Sequence, residues 1–250
     1  MGYGFYDITL YGFGNKDFAY RNNLVSSLYI DFLDGYKPKG TTRMSVDIGD
    51  EDRINSYFGS ILSAEVAFNK ERYSLSSPED QNKIILDTIH RIAILSAEKH
   101  EWDKTIFQLA YKRVIESEFI YKKELKKKLS KDRKYRASIF LEKNGEFATI
   151  SVNFYNANNN FLKSVELLRS FDDEWFYGRL ISNNKWFDNL QFGMHSKNNE
   201  IIIQASVDRA ESETIISPVN KTKEELEKFL RRITYLEFSN EDDFKKWYDL

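Results

Sequence analysis

Apolar residues recur with period two along the first third of the chain, the spacing at which alternate side chains of a β-strand share a face. Between Tyr3 and Phe13, the residues Tyr6, Ile8 and Leu10 fall on one side and Phe5, Asp7 and Thr9 on the other. Leu24, Leu28, Ile30 and Phe32 repeat the pattern, and Met44, Val46 and Ile48 alternate with Arg43, Ser45 and Asp47. Phe58, Leu62, Ala64, Val66 and Phe68 share a fourth face. These spacings predict four strands in one antiparallel sheet with a single buried side.

The period then changes. Ser77-Pro78-Glu79-Asp80 combines a capping serine, a proline at the first helical position and acids suited to a helix N-terminus. The helix it predicts carries Ile85, Ile89 and Ile92 together with Leu86, Ala93 and Ala97, an apolar surface so broad that most of it must be covered. A second helix is expected from Trp102 or Asp103, with Trp102, Ile106, Leu109, Ala110 and Val114 as its stripe. Phe119 to Leu129 fits two templates, because Tyr121, Leu125 and Leu129 suit a helix while Phe119 with the same three suits a strand. The strand is preferred, and it would segregate Lys122, Lys126 and Lys128 from those apolar residues.

Beyond this point Asn144-Gly145 lies between apolar-rich segments and predicts a two-residue type I′ hairpin turn. Asn156 to Asn160, Asn183-Asn184 and Asn198-Asn199 separate further runs at 161–168, 175–181, 186–192 and 201–207, the rhythm of a β-meander. Thr222-Lys223-Glu224-Glu225 is a capping box leading into Leu226, Phe229, Leu230 and Ile233. Ser239 to Asp242 offers a similar start before Phe244, Trp247 and Tyr248. The expected fold is α+β, with antiparallel β-meander sheets and two helical pairs, one central and one C-terminal. Two blocks emerge, 1–117 and 118–250, and no Gly/Ser/Pro linker divides them, so close packing is expected, with one continuous unit as the alternative.

Composition narrows the function. A chain of 250 residues can bury roughly 70 to 75% of the surface its unfolded form exposes, and 19 Phe, 15 Tyr and 4 Trp supply a large core. The lack of cysteine removes disulfides, thiolate metal sites and cysteine nucleophiles. No window approaches the roughly 18 apolar residues of a membrane span, and no secretory leader is visible. A soluble, cytoplasmic protein is expected, without membrane association.

Motifs for chemistry are sparse. Gly12-Phe13-Gly14 and Lys39-Gly40-Thr41 lack the spacing of a phosphate cradle and read as turns. The histidines His90, His100 and His195 are too far apart to share a helix face, so no metal site and no cofactor are expected. Asp47, Asp50, Glu51 and Asp52 crowd one connection without the ligand spacing of a calcium loop. His100, Glu101 and Asp103, or Glu211 and Glu213, are the residues an enzyme reading would have to use.

Charge and aromatic clustering point elsewhere. Nine basic residues against two acids fall between Tyr121 and Arg136, a local charge of +7 in a chain whose net charge is −2. Lys122, Lys126, Lys128, Lys131 and Arg133 are therefore candidate nucleic-acid contacts, although lysines equally protect an exposed edge strand. Asp172, Asp173 and Glu174 precede Trp175-Phe176-Tyr177, with Trp186 across the Asn183-Asn184 turn. Asp172, Asp173, Glu174, Trp175, Tyr177 and Trp186 would form an acidic, aromatic binding surface if the rings face solvent, and core if they do not. With no assembled catalytic set, the expected function is non-catalytic protein binding, as in a bacterial immunity protein that neutralises a basic toxin domain. A nucleic-acid-associated protein and an enzyme with a dispersed site are the alternatives.

Overall fold

The computed structural model describes residues 5–171 and 174–234, with 174–176 described in their backbone alone. The helix expected after Ser239 lies outside the described residues. The fold is α+β, and the chain divides into two compact units: Met1–Tyr121 with Asn144–Glu146, and Lys122–Lys143 with Phe147–Leu250. Among the described residues no helix is long and apolar enough to cross a membrane.

The first unit is built on a four-stranded sheet of β1 (Asp7–Tyr11), β2 (Arg43–Gly49), β3 (Arg53–Phe58) and β4 (Ile61–Ala67), in the order β1-β2-β4-β3. Between β1 and β2 runs α1 (Lys16–Asp31), and this corrects the strand expected at Leu24 to Phe32. Leu24 and Leu28 satisfy period two and helical i, i+4 spacing alike, but Val25 and Tyr29 are also fully buried, so the buried set falls at i, i+1, i+4 and i+5, the spacing of one helix face. Asn15 caps it, its side chain accepting from the Phe18 amide at 3.1 Å.

The helical crossover α1 returns the chain in the same direction, so β1 pairs parallel with β2; β2 in turn pairs parallel with β4, the two being joined through β3. Only β3 runs antiparallel, to β4. The sheet is thus mixed and not antiparallel as its four apolar segments suggested. Ile8, Leu10, Met44, Val46, Leu62, Ala64 and Val66 fill its inner face. A short α2 (Lys70–Leu75) precedes α3 (Pro78–His100) and α4 (Lys104–Glu116). Ser77 caps α3 as expected, Asp103 caps α4, which leaves Trp102 ahead of the helix whose stripe it was expected to join, and Ile85, Ile89 and Ile92 of α3 are completely buried.

The second unit is antiparallel. One sheet takes β5 (Tyr121–Glu124), β7 (Tyr135–Lys143), β8 (Phe147–Asn156) and β9 (Phe161–Phe171), with β6 (Lys128–Leu129) also paired to β7. The β7–β8 connection is three residues long, with φ of +85° at Gly145 and the Asn144 side chain accepting from the Glu146 amide at 3.0 Å. It replaces the two-residue turn expected there. After β9 comes α5 (Glu174–Ser182), where a strand was expected; its buried Tyr177, Leu180 and Ile181 sit at i, i+3 and i+4.

The third sheet is a meander of β10 (Asn184–Trp186), β11 (Gln191–His195), β12 (Ile201–Ser206) and β13 (Ser212–Ile216). It is followed by α6 (Lys223–Ile233), which begins in the Thr222–Glu225 capping box. The buried Glu200 side chain accepts from the amides of Val219, Asn220 and Lys221 at 3.2, 2.7 and 2.9 Å, fixing the approach to α6.

Candidate functional site

The outer face of the first unit's sheet carries the other half of each strand's alternation: Asp7, Thr9 and Tyr11 on β1, then Arg43, Ser45 and Asp47 on β2. Parallel register sets Asp7 beside Arg43 and Tyr11 beside Asp47. The Arg43 Nε lies 2.9 Å from Asp7 Oδ2, Thr9 donates its hydroxyl to the same carboxylate at 2.6 Å, and Arg43 donates to the Tyr11 hydroxyl. Burial pushes the Asp7 carboxyl above its ordinary range, against the opposing pull of Thr9, Arg43 and Ser26.

Across the sheet Arg53 reaches Glu65 at 2.7 Å and the Asn55 side chain at 2.9 Å. Phe58, opposite Ile61 at the end of β3, is 84% exposed. The face is therefore a set of cross-strand pairs fixed by hydrogen bonds, flanked by two aromatic side chains at strand ends.

The acidic connection between β2 and β3 belongs to the same region. Asp52 accepts from the Ala67 amide at 2.9 Å and pairs with Arg91 at 2.7 Å, while Glu51 pairs with Arg53 at 3.0 Å. These are structural contacts, and among the described residues no group of three or more His, Asp or Glu is placed to hold a metal ion.

The aromatic hairpin has a different role. Tyr177 is fully buried on α5. Trp186 is 8% exposed, with its ring 5.3 Å from Phe192 and 6.1 Å from Phe154, and its indole N–H donates to the Lys128 carbonyl at 2.9 Å. Asp172 and Asp173 lie outside the described residues, as do the side chains of Glu174 and Trp175. The two ring systems that are described thus pack into the interior of their unit.

The basic segment forms β5 and β6, a broken outer strand alongside β7. Lys122 lies 3.6 Å from Glu142, and Lys127 sits over the Tyr155 ring at 3.5 Å. Lys128 donates to the Asn184 carbonyl, and partial burial lowers the pKa of its ammonium group. Lys126, Lys131 and Arg133 are exposed, and Arg133 takes the left-handed φ of +62° in the turn before β7.

The histidines are locally engaged. His90 Nδ1 and the Tyr29 hydroxyl are 2.9 Å apart, and His195 Nδ1 lies 2.7 Å from the Ser196 carbonyl. His100 stacks on Trp102 at 5.5 Å, while Glu101 and Asp103 terminate α3 and start α4. Glu213 accepts from Gln204, and Glu211 stands beside it on the rim of a small 170 Å³ depression.

The Asp7–Arg43 pair went unnoticed in the sequence because its partners are 36 positions apart and meet only through the parallel register. The signal was the polar half of the alternation, Asp7 and Thr9 against Arg43 and Ser45. Comparison with family models, curated proteins and solved structures finds no match for this chain.

Proposed function

We propose that the protein is a non-catalytic binding protein of the bacterial immunity type, which occludes a basic toxin domain with the outer face of its mixed sheet. The observation that carries this reading is the face itself: Asp7, Asp47 and Glu65 in neighbouring strands, Asp7 and Glu65 held by hydrogen bonds, on a face that also bears the exposed Phe58 and Tyr11. Rigid polar groups beside aromatic anchors lose little entropy on binding. The unit that bears them has 14 basic and 19 acidic residues, which favours a cationic partner.

A four-stranded face of this length presents roughly 450 Å², short of the about 800 Å² per partner of a stable complex. The acidic connection at Asp50 to Asp52 extends it. This reading implies a cytoplasmic setting and a toxin gene close by. The test is co-purification with the product of the adjacent gene, followed by calorimetric titration. A one-to-one complex weakened at least about tenfold by Asp47→Lys or Phe58→Asp is expected. A complex indifferent to both substitutions, or no basic protein encoded nearby, overturns the reading.

A second reading rests on the exposed Lys126, Lys131 and Arg133, with Lys122, along the outer strand and its turn. It assigns this edge to a nucleic-acid backbone. Anisotropy of a labelled single-stranded oligonucleotide across a salt series tests it, and affinity that does not fall with salt excludes it.

A further inference from the structure

Within the first unit a cleft of about 500 Å³ opens at the carboxyl ends of β2 and β4. Crevices at the carboxyl ends of parallel strands are common ligand sites, and this volume lies in the range of small-molecule pockets. Four charged residues line it, and they differ in one respect. Arg91 is engaged by Asp52 at 2.7 Å and by the Ala67 carbonyl at 2.5 Å. Asp87 is engaged by the Lys83 ammonium and by the Tyr111 hydroxyl, the latter at 2.7 Å. Asp50 and Arg72 have no ion-pair partner among the described residues, although both line the same cleft.

The scaffold explains why these two do not neutralise each other. Asp50 follows the last residue of β2, whose position is set by the β2–β4 ladder. Arg72 belongs to α2, where its amide is capped by the Asn69 side chain at 2.8 Å. Two opposite charges are thus mounted on separate elements facing one cavity. Its apolar lining includes Ile84 and Phe68, and the Phe68 ring is fixed edge-on against Phe13 and Phe18 at 5.8 and 5.5 Å.

We propose that this cleft binds a small zwitterion with an apolar body, an apolar α-amino acid or a dipeptide. Its carboxylate meets the Arg72 guanidinium, its ammonium meets Asp50, and its side chain lies against Phe68 and Ile84. A simple anion would leave Asp50 unpaired beside it, and a simple cation would leave Arg72 so; a ligand carrying both charges satisfies both groups. The site shares Asp50 with the acidic connection that extends the proposed toxin-binding face, whereas Arg72 and Phe68 lie on α2 and the loop before it, so Arg72→Gln tests the cleft apart from that reading.

Calorimetry on the full chain at low salt tests the assignment, with L-leucine and L-alanyl-L-leucine as probes and 4-methylpentanoate and 3-methylbutylamine as their single-charge counterparts. At least one zwitterion is expected to bind at a single site, with each counterpart at least about tenfold weaker. The stronger of the two probes distinguishes a free amino acid from a peptide. Asp50→Asn and Arg72→Gln are each expected to weaken binding at least about tenfold. Both positions are exposed, so circular dichroism should show the fold unchanged. No heat with either zwitterion, equal binding of a single-charge counterpart, or full affinity in both variants overturns the proposal.

Discussion

The indole N–H of Trp186 donates to the backbone carbonyl of Lys128 at 2.9 Å. One residue came from the aromatic cluster and the other from the basic segment, so a hydrogen bond joins two regions that the sequence offered as rival binding sites. Trp186→Phe is expected to keep the fold and cost about 1 kcal/mol, because the carbonyl loses its donor. Trp186→Ala should cost about 3 to 5 kcal/mol by emptying the space against Phe154 and Phe192. Urea unfolding curves with unchanged slope would report both; a Trp186→Ala protein as stable as the parent would contradict the burial.

Gly193 should tolerate no side chain. A Cβ there would lie 2.1 Å from the Ile203 carbonyl oxygen and 2.6 Å from the Gln204 Cα, backbone atoms of the neighbouring strand that cannot swing aside. Gly193→Ala is expected to destabilise by about 3 kcal/mol, at the upper end of overpacking. Gly14, whose added Cβ would meet nothing within 4 Å, provides the contrast. Its φ of +67° leaves only the left-handed backbone penalty, about 1 kcal/mol for alanine. Paired thermal melts would rank the two.

Acid should weaken the first unit through His90. Burial, the largest influence, and the Lys83 charge depress its pKa, while Asp87 opposes them. The unfolded chain then binds a proton more readily than the folded one, so stability rises with pH in this range. The contribution is complete above the ordinary histidine pKa, about 6.5, and is lost as pH falls toward the depressed folded value. His100, lowered by burial and Lys99, adds in the same direction. Melting temperatures between pH 7.5 and 5.5 should fall, and less steeply in His90→Gln; an identical slope in that variant would assign the effect to other groups.

The Glu200 carboxylate holds three consecutive amides ahead of α6, and these bonds, that of Asn220 first, lower its pKa. A depressed carboxylate contributes above its unfolded pKa and fails as pH drops through the folded one. Glu200→Gln should therefore speed amide exchange at 219–221 at neutral pH, while leaving the β7–β8 ladder protected. Unchanged exchange at those amides would show that another contact holds the loop.

What could be read from the sequence followed from whether a single period explained each segment. Met44, Val46, Leu62, Ala64 and Val66 alternate cleanly and lie in β2 and β4, whereas Phe58, expected on the same buried face, ends the separate strand β3 and is exposed opposite Ile61. Ser77 and Thr222 marked helix starts because capping is a local hydrogen bond between neighbours in sequence. Leu24 and Leu28 misled because an interval of four residues serves both periods. Strand direction was invisible for a related reason: side-chain alternation is the same in parallel and antiparallel ladders, and only recognition of α1 would have reversed β2. The polar outer face was visible residue by residue, but its pairing of Asp7 with Arg43 depended on that direction.

The insertion of β4 between β2 and β3 has a consequence for how quickly the chain can become native. In the second unit β7, β8 and β9 pair with their neighbours in sequence, so each hairpin can close as soon as it exists. In the first unit β1 must wait for a helix and a long connection before meeting β2, and the β3–β4 hairpin must dock edge-on against β2 to complete the sheet. Distant pairings are slow because loop closure precedes any contact that rewards it. Stopped-flow refolding is expected to resolve two phases. The slower one should be retarded by Val46→Ala on β2, while Val152→Ala on β8 should affect the faster.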